Sequence, residues 1–215
     1  DVILYGSIVT HYAWIKWLTK TIKKHQPKTT IIVGNSVSGS CLDVFMKNVP
    51  ADIAVKGEGE VTCLATLNAL TNGTDLKEVE GITYRLEDGT VISNKSRKAE
   101  KINDFPMVNW DYFDVHQYID IKGNIFGVDD GVETQLRTMP VITARGCAFR
   151  CTFCHFVFWD DPYRFRKAAL VVEEIQRNVE KYGVNYINFW DDLSFAALPK
   201  MEQMANAIIK SGLKI

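Results

Sequence analysis

The sequence contains no apolar run near the roughly 20 residues that cross a bilayer, and no secretory signal peptide is recognisable. It also lacks an excess of charge, since 25 Lys and Arg residues stand against 26 Asp and Glu residues. A net charge of -1 gives the whole chain no attraction to nucleic acid or to an anionic membrane. We therefore expect no membrane span and no nucleic-acid partner.

Cysteine is scarce, with five residues in 215. Cys41 and Cys63 stand alone in helical apolar patterns, whereas Cys147, Cys151 and Cys154 fall within eight residues. An odd number with three members so close together does not suit the disulfide framework of a secreted protein. We expect a reducing, cytoplasmic environment and thiolates that bind metal.

Both ends of the sequence lie at the edge of a structural element. Val2–Tyr5 already has the composition of a buried strand, and residues 213–215 resemble the start of another strand after a helix. We therefore expect this chain to be an internal part of a longer protein.

The first third alternates strands with helices. Short apolar runs at Val2–Tyr5, Thr30–Val33 and Asp52–Val55 predict strands, each followed by a turn that contains glycine. Helical patterns separate and follow them, at about 12–25, 42–47 and 62–70, and the first of these is expected to have Trp14 and Trp17 on its apolar side. This order predicts a parallel sheet whose glycine turns lie at the carboxyl edge, where ligands bind in open α/β folds.

The remainder contains a hairpin, a linker and a second strand–helix–strand run. Asp88-Gly89 between two apolar runs predicts a hairpin, and aromatic residues predict a packed linker up to about 135. The second run comprises Met139–Ala144, Ala168–Tyr182, Tyr186–Trp190 and Met201–Ser211, and Gly212 is expected to cap its last helix. We predict three segments, at residues 1–80, 81–137 and 138–215.

The clustered cysteines have the spacing C-x3-C-x2-C in a loop directly after a predicted strand. Three thiolates on one loop can each bind one iron of a cubane cluster, which leaves the fourth iron without a protein ligand. Three alternatives stay open. They are a zinc site that adds His155, a c-type haem on Cys151-Thr152-Phe153-Cys154-His155, and buried thiols without a ligand.

This loop, with Phe153 before its last cysteine, resembles the signature of the radical SAM superfamily. The resemblance implies that Cys147, Cys151 and Cys154 hold a [4Fe-4S] cluster and that Phe153 shields it. In that family the open iron binds S-adenosylmethionine, and an electron from the cluster yields a 5′-deoxyadenosyl radical that abstracts hydrogen from a small-molecule substrate. It also implies a reductant such as flavodoxin or ferredoxin.

Two further pairs flank the cysteine loop in the sequence. Asp191 and Asp192 end a predicted strand where radical SAM proteins contact the amino group of S-adenosylmethionine, although a solvated turn with Asp192 as a helix cap is the alternative. Arg164 and Arg166 either contact the surroundings of the cluster or form a basic surface stretch.

The first segment resembles the second half of a cobalamin-binding Rossmann-like domain. The resemblance rests on Gly6-Ser7, Gly34 and the run Val55-Lys56-Gly57-Glu58-Gly59-Glu60. It implies that Gly6, Ser7, Gly34, Gly57 and Glu58 line the nucleotide tail of the corrinoid. Asn35 stands where a second glycine is common, and the half of the domain whose loop would supply a cobalt-ligating histidine is absent. The run Asp114-Val115-His116 imitates that loop, but it lacks the glycine and lies in the linker, so we interpret it as a coincidence. A domain of this shape that has lost the corrinoid is the alternative.

We therefore predict an α/β protein, with a partial Rossmann-like cobalamin-binding domain followed by the first repeats of a radical SAM partial (β/α) barrel. The predicted function is radical S-adenosylmethionine chemistry, namely methyl transfer to carbon, rearrangement or oxidative cyclisation of an organic substrate. The alternative is a non-catalytic electron-transfer protein that carries an iron–sulfur cluster or a c-type haem.

Overall fold

The computed structural model describes residues 1–119, 136–154, 161–194 and 196–215. The chain separates into two compact units. The described residues of the first unit are Asp1–Ala99, and those of the second unit run from Glu100 onward. The sequence-based division at residues 80 and 137 stays a prediction.

A five-stranded sheet forms the first unit. Its strands follow chain order across the sheet: β1 (Val2–Gly6), β2 (Thr30–Gly34), β3 (Ile53–Val55), β4 (Ile82–Arg85) and β5 (Val91–Ser93). The first three are parallel, whereas β4 and β5 form an antiparallel hairpin that pairs with β3. The predicted hairpin therefore continues the sheet. Its exposed tip closes through a 2.8 Å hydrogen bond from the Leu86 amide to the Thr90 carbonyl.

Helices and a core cover each face of this sheet. The helices of the first unit are α1 (Tyr12–His25), α2 (Ser36–Gly39), α3 (Leu42–Asn48) and α4 (Gly59–Asn72), with 3₁₀ turns at Val9–His11 and Leu76–Glu78. Successive side chains of a strand point to opposite faces. Ile31 and Val33 accordingly join one core with residues of α1 and α3, whereas Ile32 joins the other core with residues of α4.

The buried face of α1 differs from the expected one. Trp14 and Trp17 were expected to share a side with the apolar residues of this helix, but they are 52% and 61% exposed. Ile15 and Thr19 are fully buried instead. Thr19 is tolerated there because its hydroxyl donates to the Ile15 carbonyl and also hydrogen-bonds the Tyr5 hydroxyl, at 2.6 Å each.

The second unit contains a strand–helix–strand repeat. Its helices are α5 (Val115–Ile119), α6 (Ala168–Tyr182) and α7 (Leu198–Ser211), with 3₁₀ turns at Ile102–Asp104 and Trp110–Tyr112. Its strands are β6 (Thr138–Val141), β7 (Ala144–Arg145), β8 (Arg164–Phe165) and β9 (Tyr186–Phe189). The parallel pair β6–β9 packs on α6 and α7. The described residues do not close into a barrel, which agrees with the predicted partial barrel.

The predicted strand Met139–Ala144 is interrupted. Strand β6 ends at Val141, and the next two residues belong to no strand before β7 begins. The interruption has a local cause, because the Thr143 amide donates to the side chain of Asp191 rather than to a neighbouring strand.

The linker buries fewer aromatic residues than expected. Tyr112 and Phe113 are 84% and 61% exposed, whereas Trp110 packs partly buried against a core of Val115, Ile119 and other residues. Between these aromatic residues, Asp111 accepts hydrogen bonds from Lys181 and Tyr182 of α6. Across the parts of the chain that the structure describes, no helix is both long and apolar enough to span a membrane.

Candidate functional site

The cysteine loop follows β7 in the second unit. Cys147 is half-buried, Cys151 and Cys154 are exposed, and all are free thiols. Its hydrogen-bonded turn runs from the Cys154 amide to the Cys151 carbonyl, at 3.1 Å. Within the described ranges, no three His, Cys, Asp or Glu side chains converge as a metal site. The structure therefore places the predicted ligands on one accessible loop without bringing them together.

Two further residues of the sequence-based interpretations stand beside the cysteines in the sequence, Phe153 and His155. The Phe153 side chain is 90% exposed, so its shielding role stays a prediction. His155, which the zinc and haem alternatives require, lies outside the described residues.

Gly146 fixes the entry to this loop. Its φ of +82° is a conformation that side-chain-bearing residues rarely adopt. A Cβ atom there would lie 3.2 Å from the Pro162 carbonyl oxygen and 3.5 Å from the Tyr163 Cα. Backbone thus meets backbone one residue before Cys147, and both the conformation and the space require glycine.

Asp191 lies at the carboxyl end of β9 and accepts four hydrogen bonds. Its Oδ1 accepts the backbone amides of Thr143 at 2.8 Å and Ala144 at 3.1 Å. Its Oδ2 accepts the hydroxyls of Thr143 and Ser194, the latter at 3.0 Å. The carboxylate is therefore occupied within the protein.

Asp192 is different, because no hydrogen bond reaches its side chain from the residues that the structure describes. Partial burial raises the pKa of its carboxyl, and the neighbouring charge of Asp191 raises that pKa further. Both effects disfavour the charged form. A cation beside Asp192 would oppose them, so this carboxylate is the one available to an ammonium group.

Tyr163 joins the segment before β8 to the loop after β9. Its hydroxyl donates to the carbonyls of Leu193 at 2.5 Å and Ser194 at 3.2 Å. Burial raises the pKa of Tyr163, and the charges of Asp191 and Cys147 add to the effect. Thr143, Gly146 and Tyr163 were not expected at the site from the sequence. A glycine directly before the first cysteine was the available signal, and Tyr163 offered none.

Arg164 and Arg166 do not form a basic surface stretch, because both bind segments that flank the cysteine loop. Arg166 forms a 2.5 Å ion pair with Glu174 of α6, with side chains only 13% and 6% exposed, and donates to the Ile142 carbonyl. Arg164 donates to the carbonyls of Pro162 and Glu100. These arginines tie the segments around the cysteine loop together.

An apolar pocket of about 320 Å³ lies within the second unit. Phe105, Met107, Ile142 and Trp190 are among its lining residues. The guanidinium of Arg145 lies 4.9 Å from the centre of the Phe105 ring, which is within the range of a cation–π contact. Since Arg145 comes two residues before Cys147, the pocket adjoins the start of the cysteine loop.

The strand-end turns of the first unit approach each other closely. A Cβ atom on Gly6 would lie 2.9 Å from the Gly34 carbonyl oxygen, so the ends of β1 and β2 meet without side chains. The Ser7 carbonyl accepts the Val37 amide at 3.0 Å, and the Ser7 hydroxyl hydrogen-bonds His11 at 2.6 Å. Glycine at position 6 is therefore required by the neighbouring strand end.

Asn35 explains the departure from the expected second glycine. It is the described non-glycine residue with positive φ, at +67°, and its side chain accepts the Ser36 amide at 2.5 Å. Asparagine is among the residues that tolerate such angles. After β3, Gly57 has φ of +83° with open space around it, and Glu58 precedes α4.

His116, which imitated a cobalt-ligating histidine in the sequence, lies in α5 of the second unit. Its ring is edge-on to Tyr182 at 6.3 Å, and its Nδ1 lies 3.4 Å from a guanidinium nitrogen of Arg137. Both contacts lie within the second unit, and the interpretation of this segment as a coincidental resemblance stays a prediction.

Residues 141–215 match the Radical SAM superfamily model. Among curated proteins, the chain is 28% identical over 81% of its length to the uncharacterized methyltransferase PH0819 of Pyrococcus horikoshii, covering 36% of that protein. It is 25% identical over 89% of its length to a cytidylyl-2-hydroxyethylphosphonate methyltransferase of Streptomyces wedmorensis, covering 40%. It is 27% identical over 90% of its length to an anaerobic magnesium-protoporphyrin IX monomethyl ester cyclase of Rubrivivax gelatinosus, covering 34%.

Two solved structures share the fold. The cobalamin-dependent radical enzyme OxsB, with aqua-cobalamin and S-adenosylmethionine bound, matches 98% of this chain and 29% of its own at a TM-score of 0.76 and 20% identity. The methyltransferase TsrM of Kitasatospora setae, with cobalamin and a [4Fe-4S] cluster bound, matches 98% of this chain and 40% of its own at 0.65 and 16% identity.

Residues 141–215, which contain the cysteine loop, thus match the radical SAM superfamily. The chain's curated relatives include methyltransferases and a cyclase, and the solved structures that share its fold are cobalamin-binding radical SAM enzymes, which agrees with the predicted resemblance. The chain spans between about a third and two fifths of the length of the curated relatives described above.

Proposed function

We propose that this chain carries the cluster-binding and corrinoid-binding parts of a cobalamin-dependent radical SAM enzyme. Cys147, Cys151 and Cys154 would hold a [4Fe-4S] cluster, with S-adenosylmethionine at the open iron. The observation that carries the proposal is the loop itself, with its three free thiols in C-x3-C-x2-C spacing beside the end of a parallel strand pair.

The donor set suits the cluster. Thiolates are the usual protein ligands of iron–sulfur clusters, and three of them leave one iron open. The loop carries no helix or strand between Cys147 and Cys154, so few hydrogen bonds oppose the convergence of its thiols on a cluster. When bound, such a cluster supplies the electron for reductive cleavage of the sulfonium of S-adenosylmethionine.

The protein's own part is to bind, orient and exclude water. The carboxylates at the end of β9 would place the ammonium group of S-adenosylmethionine, since a charge-assisted hydrogen bond offsets the desolvation of a carboxylate. Phe153 would cover the cluster once the loop closes on it. In the first unit, Gly6, Ser7, Gly34, Gly57 and Glu58 would line the nucleotide tail of cobalamin, because they lie at or directly after the carboxyl ends of the parallel strands β1, β2 and β3, where ligands bind in open α/β folds.

The reaction of the complete protein is proposed from its relatives. Both methyltransferases and oxidative cyclases are among them, so we propose methyl transfer to carbon or a radical rearrangement or cyclisation of an organic substrate. The alternative, an electron-transfer protein with a cluster or a haem, is less well supported, because the curated relatives of this chain are named as enzymes.

The test uses the full-length protein reconstituted anaerobically. We expect about four irons per chain and a reduced-cluster EPR signal that changes when S-adenosylmethionine is added. Replacement of Cys147, Cys151 or Cys154 by serine should abolish stable iron loading, whereas Cys41→Ser and Cys63→Ser provide matched controls that load normally.

Three results would refute the proposal. They are one zinc in place of iron, full iron loading in Cys151→Ser, and an EPR signal that is indifferent to S-adenosylmethionine. Production of 5′-deoxyadenosine together with methylated cobalamin would identify the methyl-transfer version.

A further inference from the structure

We infer that Asp191 is a positioning residue, which acts through Thr143 to fix the entry to the cysteine loop and leaves Asp192 as the carboxylate that meets ligand. This inference rests on the proposed function and divides a role that the sequence assigns to both carboxylates. It follows from hydrogen bonds that the strand ends make with each other.

The acceptor positions of the Asp191 carboxylate are all occupied within the protein. Each of its oxygens accepts two hydrogen bonds, Oδ1 from the amides of Thr143 and Ala144 and Oδ2 from the hydroxyls of Thr143 and Ser194. Two carboxylate oxygens have about four acceptor positions between them. An ammonium group could therefore bind Asp191 only by displacing a bond that holds the backbone.

The residues that donate their backbone amides to Asp191 lie just before the cysteine loop. Thr143 is 1% exposed and Ala144 is 2% exposed, and both lie between the end of β6 and the first cysteine. Without Asp191 the Thr143 amide and hydroxyl would be buried without this acceptor, which is costly in a protein interior. The carboxylate thus replaces the ladder hydrogen bonds that the interrupted strand has given up.

Two further contacts constrain the entry to the cysteine loop. The Cβ position of Gly146 meets the Pro162 carbonyl, and the Tyr163 hydroxyl donates to the carbonyl of Ser194. The segment that leads into the loop, the segment before β8 and the loop after β9 therefore form one braced set. Asp191 contributes the carboxylate that links these segments.

Asp192 differs from Asp191 in its hydrogen bonding. Its side chain accepts no hydrogen bond from the described residues, and the residue is exposed at the same strand end although its carboxyl is partly desolvated. The two adjacent carboxylates are chemically identical but differ in what already occupies them.

The first experiment needs no cofactor. In the cofactor-free full-length protein, hydrogen exchange is read at the Thr143 and Ala144 amides. Asp191→Ala should speed their exchange by roughly tenfold or more, because charge-assisted acceptors are lost, whereas the matched control Asp192→Ala should not. Unchanged exchange in Asp191→Ala, or equal acceleration in Asp192→Ala, would overturn the inference.

The second experiment separates positioning from ligand contact in the reconstituted protein. Thr143→Val and Asp191→Asn should alter iron retention and the EPR signal before S-adenosylmethionine is added, and Thr143→Ser should restore both. Asp192→Asn should leave that signal unchanged and raise the KM for S-adenosylmethionine. If Asp191→Asn instead raised only this KM, Asp191 would be a direct ligand and the inference would be wrong.

The two experiments distinguish two kinds of failure. If the wild-type protein loads no cluster, the proposed function fails, yet the exchange rates still decide whether Asp191 braces the backbone. Melting of each variant shows whether it folds. Where Asp191→Ala does not fold, Thr143→Val, which lacks the hydroxyl, can still be compared with Thr143→Ser, which keeps it.

Discussion

Replacement of Gly146 by alanine tests how firmly the start of the cysteine loop is held. The φ of +82° would cost a side-chain-bearing residue about 1–2 kcal/mol. The new Cβ would also lie 3.2 Å from the Pro162 carbonyl oxygen, tighter than an ordinary contact, and it faces backbone that cannot rotate away. Overpacking of this kind costs about 1–3 kcal/mol, so we expect a total destabilisation of about 2–5 kcal/mol.

The assay is the free energy of opening of the second unit, taken from the slowest-exchanging amides of α6 in the cofactor-free full-length protein. Gly212→Ala is the matched control in the same unit. Gly212 also has positive φ, +68°, but no heavy atom lies within 4 Å of its Cβ position. It should lose only the conformational part, roughly 1–2 kcal/mol.

The difference between the two variants isolates the contact with Pro162. Equal losses in Gly146→Ala and Gly212→Ala would refute the close approach, and no loss in Gly146→Ala would refute the conformation as well. Iron retention should fall in Gly146→Ala and stay normal in Gly212→Ala, because only the former lies beside a proposed ligand.

Two further predictions concern charged groups in the second unit. Glu174→Gln should destabilise this unit by about 3 kcal/mol, because it leaves the Arg166 guanidinium buried without its charged partner. In a melting experiment, the double variant Arg166→Met/Glu174→Leu should recover most of that loss. A loss below roughly 0.5 kcal/mol in the single variant would contradict this prediction. Because the pKa of Asp192 is raised, its charge opposes folding above that pKa but not below the ordinary aspartate value of about 3.9. Asp192→Asn should therefore raise the melting temperature at pH 7, by an amount worth at most about 1 kcal/mol, and leave it unchanged near pH 3.5. An equal gain at both pH values would be inconsistent with the raised pKa.

Secondary structure followed from the sequence where periodicity was strong. The helix predicted over Ala168–Tyr182 has the same bounds in the structure, and Gly212 caps the last helix in the left-handed conformation as predicted. The hairpin at Asp88-Gly89 also forms. These elements depend on local patterns, which the sequence carries directly.

Features that depend on distant partners were missed. Glu174 and Asn178 lie on the buried face of α6 because Arg166 and Arg177 reach them, and the apolar pattern alone did not predict polar residues there. The strand before the cysteine loop breaks because Asp191, 48 positions later, takes the Thr143 amide. Pairing of this kind is not written in any local pattern.

For the candidate site, the sequence indicated the residue types and the structure adds their connections. The spacing of Cys147, Cys151 and Cys154 predicted a cluster loop, and its assignment remains a proposal. The unequal surroundings of Asp191 and Asp192 were beyond the sequence, because adjacent identical residues carry no signal of what each accepts.

The hairpin tip at residues 86–90 offers a practical handle. It is exposed, and its ends are joined by the hydrogen bond between Leu86 and Thr90, next to the paired residues of β4 and β5. Exposed loop tips accept insertions best. A short affinity peptide placed between Asp88 and Gly89 would allow rapid capture in an oxygen-free chamber without altering any residue of the cysteine loop.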